Sequence, residues 1–143
     1  MNFRHFLLLI TASLSVCVAA VAVDGSSRKH RVVFEMVSEE KEAWEALLNN
    51  IENAQKAFGA DTTEIEVVAH GKGLGLLLKE SEVRDRVEKL AGPGVVFAAC
   101  QNSMKKKGVT KDMLLPVATT VDSGVAQLIR RQEVGWSYLK SGG

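Results

Sequence analysis

The stretch Gly94-Val-Val-Phe-Ala-Ala-Cys-Gln-Asn-Ser-Met-Lys-Lys-Lys-Gly108 runs from a short apolar segment into a cysteine and then into a polar, basic segment. A Val-rich run of this length that follows a glycine is typical of a buried strand. Cys100 comes directly after the strand predicted over residues 94–99. The stretch therefore predicts a buried strand whose carboxyl end carries a thiol.

Three further segments have the same character, being short, rich in Val and bounded by polar residues or glycine: RVVFEMV (31–37), EIEVVA (64–69) and PVATTV (116–121). Apolar residues at three- and four-residue steps predict helices over 40–58, 81–90 and 123–140, with Ser81 as a candidate N-cap of the second. Strands that alternate with helices imply right-handed crossovers and a sheet covered on both faces. We predict one α/β domain with a mainly parallel sheet.

Several polar side chains follow the predicted strands directly. Ser38 follows the first strand, His70 the second, and Asp122 with Ser123 the fourth. In open α/β sheets the ligand crevice lies outside the carboxyl ends of the strands, so these residues and Cys100 are expected at one edge. Asp122 and Ser123 also suit a simpler role at the N-cap of the following helix.

The first 22 residues have the character of an export signal. Residues 6–23 carry no charge, and Ala20-Val21-Ala22 is an A-x-A pattern that suits signal peptidase. We predict a signal peptide over 1–22, a linker over 23–30, a domain over 31–143, and a periplasmic or secreted protein. Two alternatives stay open: an uncleaved N-terminal membrane anchor, and a lipoprotein attached at Cys17.

The charge balance argues against a nucleic-acid partner. The whole chain holds 18 Lys and Arg against 17 Asp and Glu, and residues 1–22 contain one of these, Arg4. The mature domain is therefore formally neutral, whereas nucleic-acid-binding domains carry a concentrated basic excess. The basic run at 105–107 is interpreted as a solvated face. No membrane association is expected once the signal is removed.

Cys100 would be the only cysteine of the mature chain, so it has no intramolecular disulfide partner. It is either a buried small apolar residue, a reactive thiol or an intermolecular partner. A helical turn that begins near Cys100 would stabilise the thiolate, which attacks a disulfide or a sulfane sulfur and can carry sulfur as a persulfide. A dithiol oxidoreductase would need a second cysteine, as in C-x-x-C.

His70 is the only histidine of the predicted mature chain outside its linker, and it can act as an acid, a base or an anion-binding donor, although a single histidine is often structural. One histidine and one cysteine are too few for a zinc site, so no metal is predicted. The glycines of His70-Gly-Lys-Gly-Leu-Gly match neither a dinucleotide fingerprint nor a P-loop, and they suit a tight turn with close packing. No cofactor is predicted.

Three segments, VVAHGKGLGLLL, GVVFAACQNSMKKKG and DMLLPVATTVDSGVAQLIRRQEVGWSYLK, together resemble the DsrE/DsrF-like family over roughly residues 31 to 140. The resemblance implies a flavodoxin-like, DsrE-type three-layer fold that assembles as a homo-oligomer, a trimer or hexamer. It also implies that Cys100 accepts and passes on sulfur, and that His70, Asn102 and Ser103 line its pocket. Export separates this chain from cytoplasmic sulfur-relay relatives, so its partners are expected to differ.

Two functions follow from these observations. The first is an exported sulfur-trafficking or thiol-redox protein, possessing sulfurtransferase or carrier activity, in which Cys100 is the persulfide-carrying nucleophile and a donor or acceptor protein is the partner. The second is a non-catalytic module that binds a small anion or assembles with a partner, in which Cys100 only packs. The state of the thiol distinguishes them, because apolar burial without donors disfavours a thiolate.

Overall fold

The computed structural model describes residues 29–141, and five strands and four α-helices alternate through them. The signal peptide prediction, Cys17 and nearly all of the predicted linker lie outside the described residues. The strands are β1 (His30–Met36), β2 (Thr63–Ala69), β3 (Val95–Cys100), β4 (Ala118–Val121) and β5 (Ser137–Ser141). The helices are α1 (Lys41–Phe58), α2 (Arg84–Leu90), α3 (Gln101–Lys107) and α4 (Gly124–Glu133).

The five strands form one sheet in the order β4-β3-β2-β1-β5, and every neighbouring pair is parallel. The predicted α/β class and parallel sheet are confirmed. The register sets Met36 beside Ala69 and Ser141, and Cys100 beside Val121. The carboxyl ends of all five strands therefore meet at one edge of the sheet.

The two faces of the sheet carry different layers. On one face, side chains of the first three strands pack with α1, α2 and α3 in the larger core, which includes Phe34, Leu47, Val87, Phe97 and Met104. On the other face, Val33 and Val68 pack against Leu128 of α4. Helices therefore cover both faces, as the alternating pattern predicted. None of the helices within residues 29–141 is long and apolar enough to cross a membrane.

The helix predicted over 123–140 is wrong in its second half. Helix α4 ends at Glu133, Gly135 has a φ of 84°, and the chain then enters β5 beside β1. The prediction failed because Trp136 and Leu139 continue the helical stripe of α4 in the sequence, while the positive φ of Gly135 turns the chain. Leu139 is exposed in β5 rather than buried under a helix.

Ser81 does not cap α2, contrary to prediction. Helix α2 begins at Arg84 with Val83 as its N-cap residue and no side-chain cap. Ser81 instead lies in a turn in which its N–H donates to the carbonyl of Leu78, and its hydroxyl is buried without a hydrogen-bond partner. The prediction is wrong because a turn over residues 78–81 precedes the helix, and the N-cap position falls two residues later, at Val83.

The order of the strands reverses at β1. From β1 the chain crosses through α1 to β2, which lies on one side of β1. From β4 it crosses through α4, which covers the opposite face of the sheet, to β5 on the other side of β1. Ligands of open α/β sheets bind outside the carboxyl ends of the strands at such a reversal point. The ends of β1 and β5, with the adjoining end of β2, therefore form one part of the candidate site, and the thiol at the end of β3 lies beside β2 on the same edge.

Candidate functional site

Cys100 is the last residue of β3 and directly precedes α3, as predicted. It is the free cysteine of the described residues, and 4% of its surface is exposed. The backbone N–H of Gly124, at the start of α4, donates to its sulfur with an N to Sγ distance of 3.1 Å. Two elements that follow neighbouring strands, α3 and α4, thus meet at the thiol.

Ser103 connects the thiol to the turn after β2. The N–H of Gly71 donates to the Ser103 Oγ at 2.8 Å, so the hydroxyl proton is left to bond the Cys100 sulfur. Burial raises the pKa of the Cys100 thiol, but the hydroxyl and N–H of Ser103 and the N–H groups of Gly124 and Asn102 outweigh it. The pKa of Cys100 is therefore below its ordinary value, since these donors stabilise the thiolate.

His70 immediately follows β2, and its ring lies beside Gly124, the residue whose N–H donates to the Cys100 sulfur. A Cβ on Gly124 would lie 3.0 Å from the His70 Cβ and 3.1 Å from its Cγ, so the imidazole rests on the backbone that bonds the sulfur. On its other side, the His70 Nε2 is 2.8 Å from Oε1 of Glu35 on β1. A carboxylate can only accept, so Nε2 carries a proton.

Glu35 is shared between two partners from different strands. Its second carboxylate oxygen accepts a hydrogen bond from the hydroxyl of Tyr138 on β5. Burial raises the pKa of Glu35, but the bonds from Tyr138 and His70, and the positive charges of the protonated form of His70 and of Lys140, lower it overall. The same bond raises the pKa of Tyr138 to about 12, because the neutral hydroxyl is the donor.

The other predicted site residues take different positions. The side chain of Asn102 is exposed, and its backbone N–H is the group that reaches the thiol. Asp122 forms two hydrogen bonds of 2.8 Å with Arg130. Ser123 is the N-cap of α4 and accepts the N–H of Ala126 at 3.4 Å, as the cap pattern predicted.

Sequence reasoning missed Glu35, Tyr138 and Gly124. The alternation of RVVFEMV gave the one usable signal, because it places Glu35 on the same face of β1 as the buried Val33. Tyr138 was predicted to lie in a helix, so its hydrogen bond to Glu35 was not predicted. Among residues 29–141, no group of three or more His, Cys, Asp or Glu side chains is arranged to hold a metal ion.

A five-stranded parallel sheet with one donor-stabilised cysteine at its carboxyl edge defines a small α/β protein with a single-thiol site. The sequence profile of the DsrE/DsrF-like family matches residues 31–141. The chain belongs to the DsrE/DsrF-like family, and the resemblance predicted from its three motifs is confirmed.

Two solved structures are similar to this chain. The protein of unknown function MTH1491 from Methanobacterium thermoautotrophicum is 35% identical, with a TM-score of 0.74 over 78% of this chain and 99% of that one. The conserved protein of unknown function BT1422 from Bacteroides thetaiotaomicron is 16% identical, with a TM-score of 0.62 over 76% of this chain and 92% of that one, and shares the fold. No curated protein matches the chain.

Proposed function

We propose that this protein is a sulfur carrier in which Cys100 accepts a sulfane sulfur as a persulfide and passes it to an acceptor thiol. The observation that carries the proposal is the set of donors on the sulfur, contributed by Ser103, Gly124 and Asn102, which lowers the pKa of the thiol. Membership of the DsrE/DsrF-like family supports the same chemistry in general terms.

Loading of Cys100 needs no second cysteine and no oxidant. The thiolate attacks the outer sulfur of thiosulfate, a new S–S bond forms, the old S–S bond breaks, and sulfite leaves with the bonding electron pair. With polysulfide as the donor, a shortened polysulfide leaves in the same way.

The alternative function is a non-catalytic binding or assembly module in which the cysteine only packs. The burial of Cys100, with 4% of its surface exposed, favours this alternative, since a carrier must meet its donor. The lowered pKa favours the carrier, because a purely structural buried thiol has its pKa raised. Reaction of the thiol with donors decides between them.

We also propose that the carrier is periplasmic or secreted and acts as a trimer or hexamer with a donor or acceptor protein outside the cytoplasm. The character of residues 1–22 supports export. Two exposed apolar side chains of α4, Val125 and Ile129, support self-assembly, because they offer apolar surface for burial. Light scattering at micromolar concentration tests this, and a strictly monomeric chain contradicts it.

The carrier function is tested by incubating the full chain with polysulfide, or with thiosulfate, and measuring the digested peptides by mass spectrometry. The peptide of Cys100 should gain about 32 Da, one sulfur, which cyanide or a thiol removes. Cys100→Ser should lose the adduct and keep the fold, whereas Cys17→Ser should retain it. Absence of the adduct with every donor would contradict the carrier function and leave the binding module.

A further inference from the structure

We propose that Glu35 is a positioning residue that fixes the proton of His70 on Nε2, so that Nδ1 accepts the proton of the thiol that unloads Cys100. The inference rests on the sulfur-carrier function proposed above. In the second half of that reaction, Glu35 and Tyr138 have roles that no motif of the sequence singled out.

The first support is the way Glu35 is held. It is the residue before the last of β1, 16% of its side chain is exposed, and both carboxylate oxygens form hydrogen bonds. Tyr138 donates to one oxygen from β5, and His70 bonds the other from the end of β2. Three adjacent strands therefore fix the carboxylate, and with it the orientation of the imidazole. These strands adjoin the reversal point of the sheet.

The second support is the position of the imidazole relative to the sulfur. The ring of His70 lies against Gly124, and the N–H of Gly124 bonds the Cys100 sulfur at 3.1 Å. The ring is partly exposed, with 20% of its side chain accessible, and this is the surface that an incoming thiol would approach. Because Nε2 is committed to Glu35, Nδ1 is the nitrogen that has a lone pair in the neutral ring.

Transfer of sulfur from Cys100 to an acceptor thiol needs no further reactant. An acceptor thiol gives its proton to Nδ1 of His70, and its thiolate attacks the outer sulfur of the protonated Cys100 persulfide. The S–S bond to Cys100 breaks, Cys100 leaves as the thiolate that its donors stabilise, and the acceptor becomes a persulfide. The imidazolium is then paired with the Glu35 carboxylate, which strengthens their hydrogen bond as the charge develops.

The charged and titratable groups around Glu35 are consistent with this role. His70 faces it from the end of β2, and Tyr138 and Lys140 face it from β5. These groups favour the ionised carboxylate, which is the form that can pair with an imidazolium. On the same edge, the solvent-exposed Glu39 accepts a hydrogen bond of 2.6 Å from Lys72. Glu39 is therefore a suitable control residue, because it is a carboxylate that does not contact His70.

The first arm of the test is NMR of the ¹⁵N-labelled full chain at mildly alkaline pH, with the His70 signals assigned by their loss in His70→Gln. The Nε2 proton should be observed in the wild type and in Glu39→Gln. It should exchange too fast to be seen in Glu35→Leu. A proton on Nδ1 in the wild type, or an Nε2 proton that persists in Glu35→Leu, overturns the inference whatever the sulfur chemistry does.

The second arm is single-turnover transfer from the preloaded Cys100 persulfide to free cysteine. His70→Gln should slow transfer about 10²-fold, the contribution of a positioned base. Glu35→Leu should slow it about tenfold, the loss of one charge-assisted hydrogen bond. Loading should change less than about twofold, because the thiolate attacks without a base. Glu39→Gln should match the wild type in both steps.

Two further variants keep the test decisive. Glu35→Gln preserves the shape of the side chain and a carbonyl acceptor, so its transfer rate should lie between those of the wild type and Glu35→Leu. Tyr138→Phe should retain the Nε2 proton and slow transfer less than Glu35→Leu. Normal loading with unchanged transfer in both Glu35 variants overturns the inference and spares the carrier function. Failure of the wild type to load overturns the carrier function and, with it, the transfer role of His70.

Discussion

Gly73→Ala is expected to destabilise the turn that carries His70. Gly73 lies in the 3-10 helical segment Gly71–Leu77, and a Cβ added to it would stand 2.2 Å from the carbonyl oxygen of Met36 and 2.5 Å from its carbonyl carbon. Both contacts are with backbone atoms at the end of β1, so no side chain can move aside. The segment must therefore retreat from the strand by about 1 Å, since close-packed interiors cannot absorb such an overlap.

The change in unfolding free energy is the sum of three contributions. Overpacking of this kind costs about 1–3 kcal/mol. The Met36 carbonyl also accepts the N–H of His70 at 3.1 Å, and weakening that hydrogen bond adds about 1 kcal/mol. Alanine offsets about 0.4–1 kcal/mol by restricting the unfolded chain. The net loss of unfolding free energy should be about 2 kcal/mol.

Urea denaturation followed by far-UV circular dichroism measures this loss. With an m-value of about 1–3 kcal/mol/M, the midpoint should fall by about 0.7–2 M, with the m-value unchanged. Gly92→Ala is the matched control, because a Cβ there meets nothing within 4 Å. An unfolding free energy for Gly73→Ala within about 0.5 kcal/mol of the control would refute the claim that close backbone contact requires this glycine.

Leu128→Ala should cost about 2–4 kcal/mol in unfolding free energy, because Leu128 is the buried side chain by which α4 packs on the sheet. Its neighbour Ile129 is 50% exposed, so Ile129→Ala should cost under about 1 kcal/mol, and equal losses would show that α4 packs by another face. Tyr138 is the single tyrosine, so phenolate absorbance reports it alone, with a midpoint near pH 12 that Glu35→Gln moves toward 10. Because the folded pKa is the higher one, the stability from this bond is fully present below about pH 10 and lost as the pH rises toward 12. A wild-type midpoint near 10 would exclude the bond.

Local patterns predicted most of the sheet. The runs over 31–37, 64–69, 94–99 and 116–121 became β1 to β4, because short buried strands leave a recognisable apolar sequence. The order of elements then sufficed to bring His70 and Cys100 to one edge. Strand β5 was not recoverable, because its sequence SYLKS is largely exposed and continues a helical stripe.

The side-chain pairings at the site could not be predicted in the same way. Glu35 and His70 are 35 positions apart, and Glu35 and Tyr138 are 103 apart. Their contacts depend on β1 lying between β2 and β5, which the sequence pattern does not specify. The lowered pKa of Cys100 likewise depends on an N–H from Gly124, whose helix arrives from the other face of the sheet.

The donors around Cys100 are expected to stabilise its thiolate, and the pH dependence of its alkylation rate measures that stabilisation. The full chain is treated with iodoacetamide across a pH series, and modification of the Cys100 peptide is followed by mass spectrometry, because the thiolate fraction sets the rate. The midpoint should lie below that of free cysteine, even though burial makes the absolute rate low. Ser103→Ala should raise the midpoint by removing one donor. A wild-type midpoint at or above that of free cysteine would show that these donors do not stabilise the thiolate, and would contradict the proposed carrier function.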